Sequence, residues 1–260
     1  MYVTKLLNFI RKKFSMILKR TFDLIVSFLV LILFSPIMAI VLFLIWIQDR
    51  HNPLYIAERI GKNGKKFRMY KFRSMIINAD KTGVDSTSNL DDRITGVGKF
   101  IRKYKLDELS QLINVFIGNM SLVGPRPNVK RETDLYSYEE KKILNMKPGI
   151  TDLASIVFAD EGDILAGKSD PDIAYNQLIR PYKSKLAIIY VQNRNFALDL
   201  KILFLTILNF LSREKALNHV SRISLTLTND AELAEICLRN STLTPTPPPG
   251  FDHIIESRDL

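Results

Sequence analysis

The stretch LIVSFLVLILFSPIMAIVLFLIWI, Leu24 to Ile47, contains no charged residue, and it restricts this chain more than any other feature. A helix of that length can cross the hydrocarbon of a bilayer. A cleaved signal peptide fits poorly, because the apolar run is too long and no small-x-small cleavage site follows it. The flanks argue against a plain span. Lys5, Arg11, Lys12, Lys13, Lys19 and Arg20 precede the run, and Arg50, Arg59, Lys62, Lys65, Lys66, Arg68, Lys71 and Arg73 follow it. Positive charge beside a membrane segment marks the cytoplasmic side, and here both ends carry it. Ser35-Pro36 stands near the midpoint. Proline removes a backbone donor and clashes with the preceding turn. A neighbouring serine hydroxyl can take up a carbonyl so released, which makes a break tolerable in lipid. These features predict a re-entrant helix-break-helix over 21–49, entering and leaving on one face, with the membrane break at Ser35 and Pro36. A kinked spanning helix is the other reading of the same residues.

The remaining residues are those of a globular domain with a basic surface. Formal net charge is +10 over 260 residues, which suits an anionic partner: an acidic membrane surface, a phosphorylated substrate or nucleic acid. A single cysteine, Cys237, excludes an internal disulfide framework. His51, His219 and His253 are too scattered for zinc-ligand spacing. A second apolar stretch, Ala197 to Arg213, is interrupted by Asp199 and Lys201. It reads as an interfacial helix with Lys201 and Arg213 near headgroups, or equally as a buried core helix. The expected architecture is α+β and helix-dominated. It has a basic amphipathic N-terminal helix (1–20), a re-entrant membrane hairpin (21–49), a cytoplasmic catalytic domain (50–213) with interfacial amphipathic helices, and a partly disordered C-terminal extension (214–260). Within the domain, short strands at 54–56 and 67–72 flank a Gly-Lys-Asn-Gly turn. A polar loop covers 78–98, and helices are expected over 99–116, 134–144 and 171–193. From Asn240 the proline-rich chain reads as a linker.

The segment KLDELSQLINVFIGNMSLVGPRP, Lys105 to Pro127, holds the candidate chemistry. On a helix over 106–117, Leu106, Leu109, Leu112, Ile113, Phe116 and Ile117 form an apolar stripe. Asp107, Ser110, Gln111 and Asn114 take the opposite face. Asp107 and Glu108 lie about 100° apart, so they would do different work. A first-turn position favours negative charge and an ionised Asp107, which suits a nucleophile; ordinary capping acids would sit there too. In VGPRP the two prolines hold Gly124 and Arg126 extended, presenting a guanidinium suited to phosphate oxygens. Arg102 lies just upstream, and Lys71 and Arg73 share one face of a strand. An acid nucleophile, an acid for a divalent cation and several cations for phosphates make a coherent phosphoryl-transfer set.

These residues, in KRTFDLIVSFLVLILFSPIM, YKFRSM, DDRITGVGKFIRKYKLDELSQLINVFIGNMSLVGPRP and KPGIT, resemble the bacterial sugar transferase family, the monotopic polyprenyl-phosphate phosphoglycosyl transferases. The resemblance covers about residues 17–213. It implies transfer of a sugar-1-phosphate from a UDP-sugar to polyprenyl (undecaprenyl) phosphate at the cytoplasmic face of the bacterial inner membrane. This would be the initiating step of a bacterial surface glycan. It implies Asp107 as the nucleophile, an aspartyl-phosphosugar intermediate, UMP as leaving group, and Glu108 as the ligand of Mg2+. Arg102, Arg126, Lys71 and Arg73 would hold phosphates. Many members continue KPGIT with Gly-Trp, whereas this chain has Asp152-Leu153 and then an acidic stretch, Phe158 to Asp172. An aspartate associated with a later helix has no counterpart around Ala187. These departures bear on the donor sugar. Homo-oligomerisation is left open. A non-enzymatic membrane-anchored protein holding anionic lipid is the alternative function. Nucleic acid is not expected as a partner, because the apolar hairpin makes a membrane the nearer anion.

Overall fold

In the computed structural model the apolar run is part of one helix, α1 (Tyr2–Asp49). The structure describes residues 2–83 and 86–257, with the backbone alone for 2–14 and 82. The basic side chains Lys5, Arg11, Lys12 and Lys13 of the expected amphipathic helix lie outside the described residues. Pro36 sits inside α1 without ending it, so Ser35-Pro36 does not separate two helices as expected. The reason is local. Pro36 has no N–H for the carbonyl of Ile32, four residues back, and Ser35 Oγ donates to that carbonyl at 2.8 Å instead.

Both halves of α1 rest on the protein and its middle does not. Asp23 and Ser27 are buried on the first half, Val41 and Ile45 on the second. From residue 31 to 40 nothing is buried, and Leu33 is 72% exposed.

After α1 come β1 (Leu54–Ile60) and β2 (Lys66–Phe72), an antiparallel pair with Leu54 opposite Phe72. The strands run longer than the sequence suggested, and the Gly-Lys-Asn-Gly turn contains a 3-10 turn at Lys62–Gly64. Next is α2 (Gly96–Lys103), capped by the Thr95 hydroxyl accepting from Gly98 N. The expected helix over 99–116 is broken at Lys105, whose φ of 55° is left-handed. A 3-10 turn (Leu106–Glu108) follows, then α3 (Gln111–Ile117). Strand β3 (Ser121–Val123) pairs in parallel with β4 (Gly149–Thr151), and α4 (Lys130–Asp134) lies between them in sequence. The expected helix over 134–144 is instead a 3-10 segment at Glu140–Asn145.

The rest is helical: α5 (Leu153–Val157), α6 (Glu161–Ile164), α7 (Pro171–Leu178), α8 (Arg180–Asn193), α9 (Phe196–Leu211), α10 (Arg213–Thr228) and α11 (Ala231–Leu238). The protein is thus a helix-dominated α+β structure. One core joins Leu122, Leu153, Ile156, Tyr182, Leu186, Ile202 and Val220. Fully burying such side chains stabilises by about 1.5–3 kcal/mol each, so α10, with Ala216, Leu217, Val220 and Ile223 buried, is integral to the domain.

The proline-rich tail lacks helix and strand, yet it is not the loose linker that its composition suggests. Thr246 N donates to Gln177 O at 3.0 Å, Gln177 Nε2 donates to Ile255 O at 2.8 Å, and Leu243 and Ile255 are buried. Helix α9 packs into the core along one face, and Arg213, expected near headgroups, instead pairs with Asp160 at 2.9 Å. Leu198, Ile202 and Leu205 enter the core, while Phe204, Ile207, Phe210 and Leu211 are exposed.

Candidate active site

Strand β2 and helix α3 build the site. Among the described residues strand β2 pairs with β1 alone, so its other edge has no strand partner. Side chains of α3 fill that edge. Asn114 Oδ1 accepts from Tyr70 N at 2.9 Å, Asn114 Nδ2 donates to Arg68 O at 2.7 Å, and Ser110 Oγ donates to Tyr70 O at 3.0 Å. The polar face opposite the expected apolar stripe is therefore turned inward: Ser110, Gln111 and Asn114 are fully buried, whereas Phe116 and Ile117 are exposed. Backbone groups of an open strand edge need partners once covered, and this face of α3 supplies them.

The docking of α3 on β2 sets Asp107 beside Lys71, with Oδ2 and Nζ 3.7 Å apart. Burial lowers the Lys71 pKa, against the opposing pull of Asp107. Glu108 faces the other way, as expected for acids with separate tasks, and its Oε1 lies 3.0 Å from Arg126 Nη2. Burial raises the Glu108 pKa, but Arg126, Lys105 and Lys71 together outweigh it and the net shift is downward. Glu108 in turn raises the Arg126 pKa against burial. The left-handed Lys105 immediately before this turn is a conformation costing about 1–2 kcal/mol for a residue with a Cβ. Strain of this kind is commonly stored at functional sites.

Arg126 comes from the crossing of VGPRP and KPGIT. Gly149 N donates to Pro125 O at 2.9 Å and Gly124 N to Thr151 O at 3.0 Å. A Cβ on Gly149 would lie 2.1 Å from Gly124 N, so the two backbones meet only because that residue is glycine. Arg126 Nη1 donates to Ile150 O at 2.7 Å, which fixes the guanidinium plane.

The structure brings Lys71, Asp107, Glu108 and Arg126 together. It does not bring in Arg73, which pairs with Asp49 through both Nη atoms and donates Nε to Asn52 O. Arg73 thereby ties the end of α1 to β2. Arg102 is half-buried on α2, where its charge acts on Asp91; it has no described hydrogen bond or ion pair with either acid. No group of three or more His, Cys, Asp or Glu suited to a metal occurs among the described residues.

Other residues escaped the sequence reading. Asp152 caps α5, its Oδ1 accepting from Ser155 N at 2.6 Å, and burial raises its pKa. The spacing Asp152-x-x-Ser155 before an apolar run was the available signal. Lys19, Arg20 and Asp23 fasten α1 to the domain. Arg20 Nη1 and Nη2 donate to Val115 O and Phe116 O at 2.6 and 2.7 Å, capping the end of the helix that begins beside the acids. Asp23 accepts from Ser121 Oγ at 2.8 Å and Leu122 N at 3.2 Å. Their pattern, charges entering an apolar helix, resembles ordinary membrane flanking charge.

The structure thus holds clustered acids and cations in a domain fastened to an apolar helix, and comparison with known proteins makes the class more particular. The family model described as bacterial sugar transferase matches residues 14–213. The undecaprenyl-phosphate galactose phosphotransferase of Salmonella typhimurium is 36% identical over 224 residues, 80% of this chain and 44% of that protein. The UDP-glucose:undecaprenyl-phosphate glucose-1-phosphate transferase of Klebsiella pneumoniae is 39% identical over 199 residues, 74% of this chain and 40% of that protein. The exopolysaccharide production protein ExoY of Sinorhizobium fredii is 35% identical over 204 residues, 73% of this chain and 83% of that protein. The chain spans less than half the length of the first two relatives. It belongs to the bacterial sugar transferase family.

Proposed function

We propose that the protein is a phosphoglycosyl transferase that moves a sugar-1-phosphate from a UDP-sugar to undecaprenyl phosphate, initiating a bacterial surface glycan at the cytoplasmic face of the inner membrane. The observation that carries this reading is the connection through α3: the acids lie beside its start, and Arg20 of the apolar helix caps its end. A lipid phosphate in the bilayer could then meet an acid held at the bilayer surface.

A carboxylate oxygen of Asp107 attacks the sugar-bearing phosphorus of the donor. The bond from that phosphorus to the bridging oxygen breaks, and UMP leaves with the electron pair. A phosphate oxygen of the lipid then attacks the same phosphorus, and the Asp107 carboxylate is released. Lys71 stands against Asp107 and would hold the phosphoryl oxygens in line. Arg126, already fixed at Ile150, would bind a donor phosphate. Arg102 and Arg73 lie away from the acids in this arrangement and would reach a phosphate only at the rim.

Glu108 fits a divalent cation. It is held ionised, and its Oε2 has no protein partner among the described residues. Mg2+ commonly takes one or two carboxylates together with substrate phosphates. When bound there, it would neutralise phosphate charge.

Membrane topology belongs to the same reading. Contact of both halves of α1 with one domain, around an exposed middle, supports a helix that enters the lipid and returns, turning at Pro36. The exposed apolar face of α9 would lie in the interface.

Purified protein incubated with Mg2+, undecaprenyl phosphate and a panel of UDP-sugars should release UMP with at least one donor. Asp107→Asn should abolish turnover and any covalent phosphosugar adduct. Full UMP release by that variant would remove Asp107 as nucleophile. Binding of anionic lipid without release from any donor would favour the non-enzymatic alternative.

A further inference from the structure

Three side chains on α3, the turn before it and β2 lack hydrogen-bond partners among the described residues. The Asp107 carboxylate receives no hydrogen bond from a described residue; its nearest cation, Lys71 Nζ, is 3.7 Å away, beyond hydrogen-bond reach. The Lys71 ammonium has no acceptor within that reach among the described residues. Gln111 is 0% exposed, and neither Nε2 nor Oε1 has a protein partner. Gln111 follows Asp107 by four residues. The backbone between stays helical at Leu109 (φ −60°, ψ −35°) and Ser110 (φ −66°, ψ −21°). Helical side chains lean toward the preceding turn, which directs the carboxamide toward the turn that carries Asp107 and Glu108. Gln and Asp at this spacing can hydrogen-bond on a helix.

We propose that Gln111 is a positioning residue for Asp107: in the reacting enzyme its Nε2 donates to the carboxylate and its Oε1 accepts from Lys71. The proposal rests on the reading of Asp107 as nucleophile. A carboxylate that attacks through one oxygen must have the other held, or the lone pair swings away from the line of attack. Lys71 alone, at its present distance, does not hold it. The amide offers a donor and an acceptor at once, which matches the two unfilled neighbours. A buried amide lacking partners lowers stability, and a group of that kind belongs where another state of the protein pairs it.

The test is Gln111→Met, similar in length and apolar. UMP release is measured with UDP-galactose and UDP-glucose, alongside thermal unfolding in the same detergent. The expected result is an unchanged or raised Tm with kcat lower by about tenfold or more, the scale of one misaligned contact in the transition state, and KM nearly unchanged. Gln111→Glu regains a donor only when protonated, so its kcat should climb as pH falls. A clear drop in Tm for Gln111→Met would make the amide a structural group and overturn the proposal, as would wild-type kcat. UMP release by Asp107→Asn would instead sink the nucleophile reading. An inactive Asp107→Asn beside a fully active Gln111→Met would sink only the role of Gln111.

Discussion

Lys19 Nζ on the apolar helix lies 2.6 Å from Asp199 Oδ2 on α9, and the Asp199 side chain is only 6% exposed. The same ammonium donates to Val123 O at 3.0 Å and to Tyr190 Oη at 3.3 Å. Burial, and then Asp199, push the Tyr190 pKa far up, so its hydroxyl keeps its proton and donates a hydrogen bond to Asp199 Oδ1. Three elements, α1, α8 and α9, thus meet on the strand that leads into Arg126.

Removing one side of this pair should hurt more than removing both. Lys19→Met leaves a buried carboxylate with Tyr190 as its remaining side-chain partner, a loss of about 3–5 kcal/mol. Asp199→Asn keeps an acceptor for Lys19 and should lose less. The double variant Lys19→Met, Asp199→Asn should be more stable than the sum of the single losses predicts, because the orphaned charge is gone. Urea unfolding in detergent measures all three. Strict additivity would show that the two residues do not interact.

Arg126→Lys tests the fork. Arg126 uses Nη2 for Glu108 at 3.0 Å and Nη1 for Ile150 O at 2.7 Å. A lysine carries the charge but cannot span both in one plane. The expected loss is about 1.5–3 kcal/mol in kcat/KM, the range for a hydrogen bond to a charged group. Wild-type kinetics would leave Arg126 with no more than a structural role.

Glu108 sets the acid limb of stability. Its pKa in the folded protein lies below the ordinary 4.5, because Arg126, Lys105 and Lys71 together outweigh burial. A depressed carboxylate stabilises the fold above its unfolded pKa, and that stability is lost as pH falls through the folded value. Wild type should therefore lose stability as pH drops below 4.5, the ordinary value. Glu108→Gln should show a flatter profile over the same window. Unfolding midpoints at a series of acidic pH values decide it; parallel profiles would mean that Glu108 gains nothing from its cations. In turnover, the same variant should weaken Mg2+ dependence and lower the rate severely.

Much of the site was legible because its chemistry is written in short spacings. Asp107-Glu108 and the Pro125-Arg126-Pro127 segment come together in three dimensions, and Lys71 on its strand reaches Asp107. What failed were inferences that needed the neighbour. The wheel of α3 put Asn114 and Ser110 opposite the apolar stripe without showing what they meet, since nothing in 106–117 announces that β2 has an open edge to fill. Lys71 and Arg73 do share a strand face, but the strand ends between them and Asp49 captures the arginine. Asp199 read only as an interruption of an apolar stretch, and only the fold shows Lys19 facing it. The proline-rich tail looked unattached because its anchors, Gln177 and Ser137, lie far away in sequence.

Topology supplies the last prediction. On the re-entrant reading proposed above, basic flanks on both sides of 24–47 and contact of both halves of α1 with one domain predict that both ends of the segment face the cytoplasm. Ser35 takes the carbonyl that Pro36 cannot bond, so the pair makes a turn in lipid tolerable. Replacing both, Ser35→Ala with Pro36→Ala, restores an ordinary helical hydrogen bond and should let the segment straighten. At about 1.5 Å per residue the stretch 24–47 reaches about 36 Å, against a hydrocarbon core of about 30 Å. Straightening must then send one flank across, and the basic residues before the run are fewer than those after it, so the N-terminal flank should go. Cys237 is buried and can be removed as Cys237→Ser, leaving Thr4→Cys as the single reporter. In intact cells a membrane-impermeant thiol reagent should miss the reporter in the native hairpin and reach it only once the cells are opened. In the Ser35→Ala, Pro36→Ala background the reporter should label from outside. Labelling of the native hairpin in intact cells would rule out the re-entrant helix and restore a plain span, with the contacts of Val41 and Ile45 then needing another explanation.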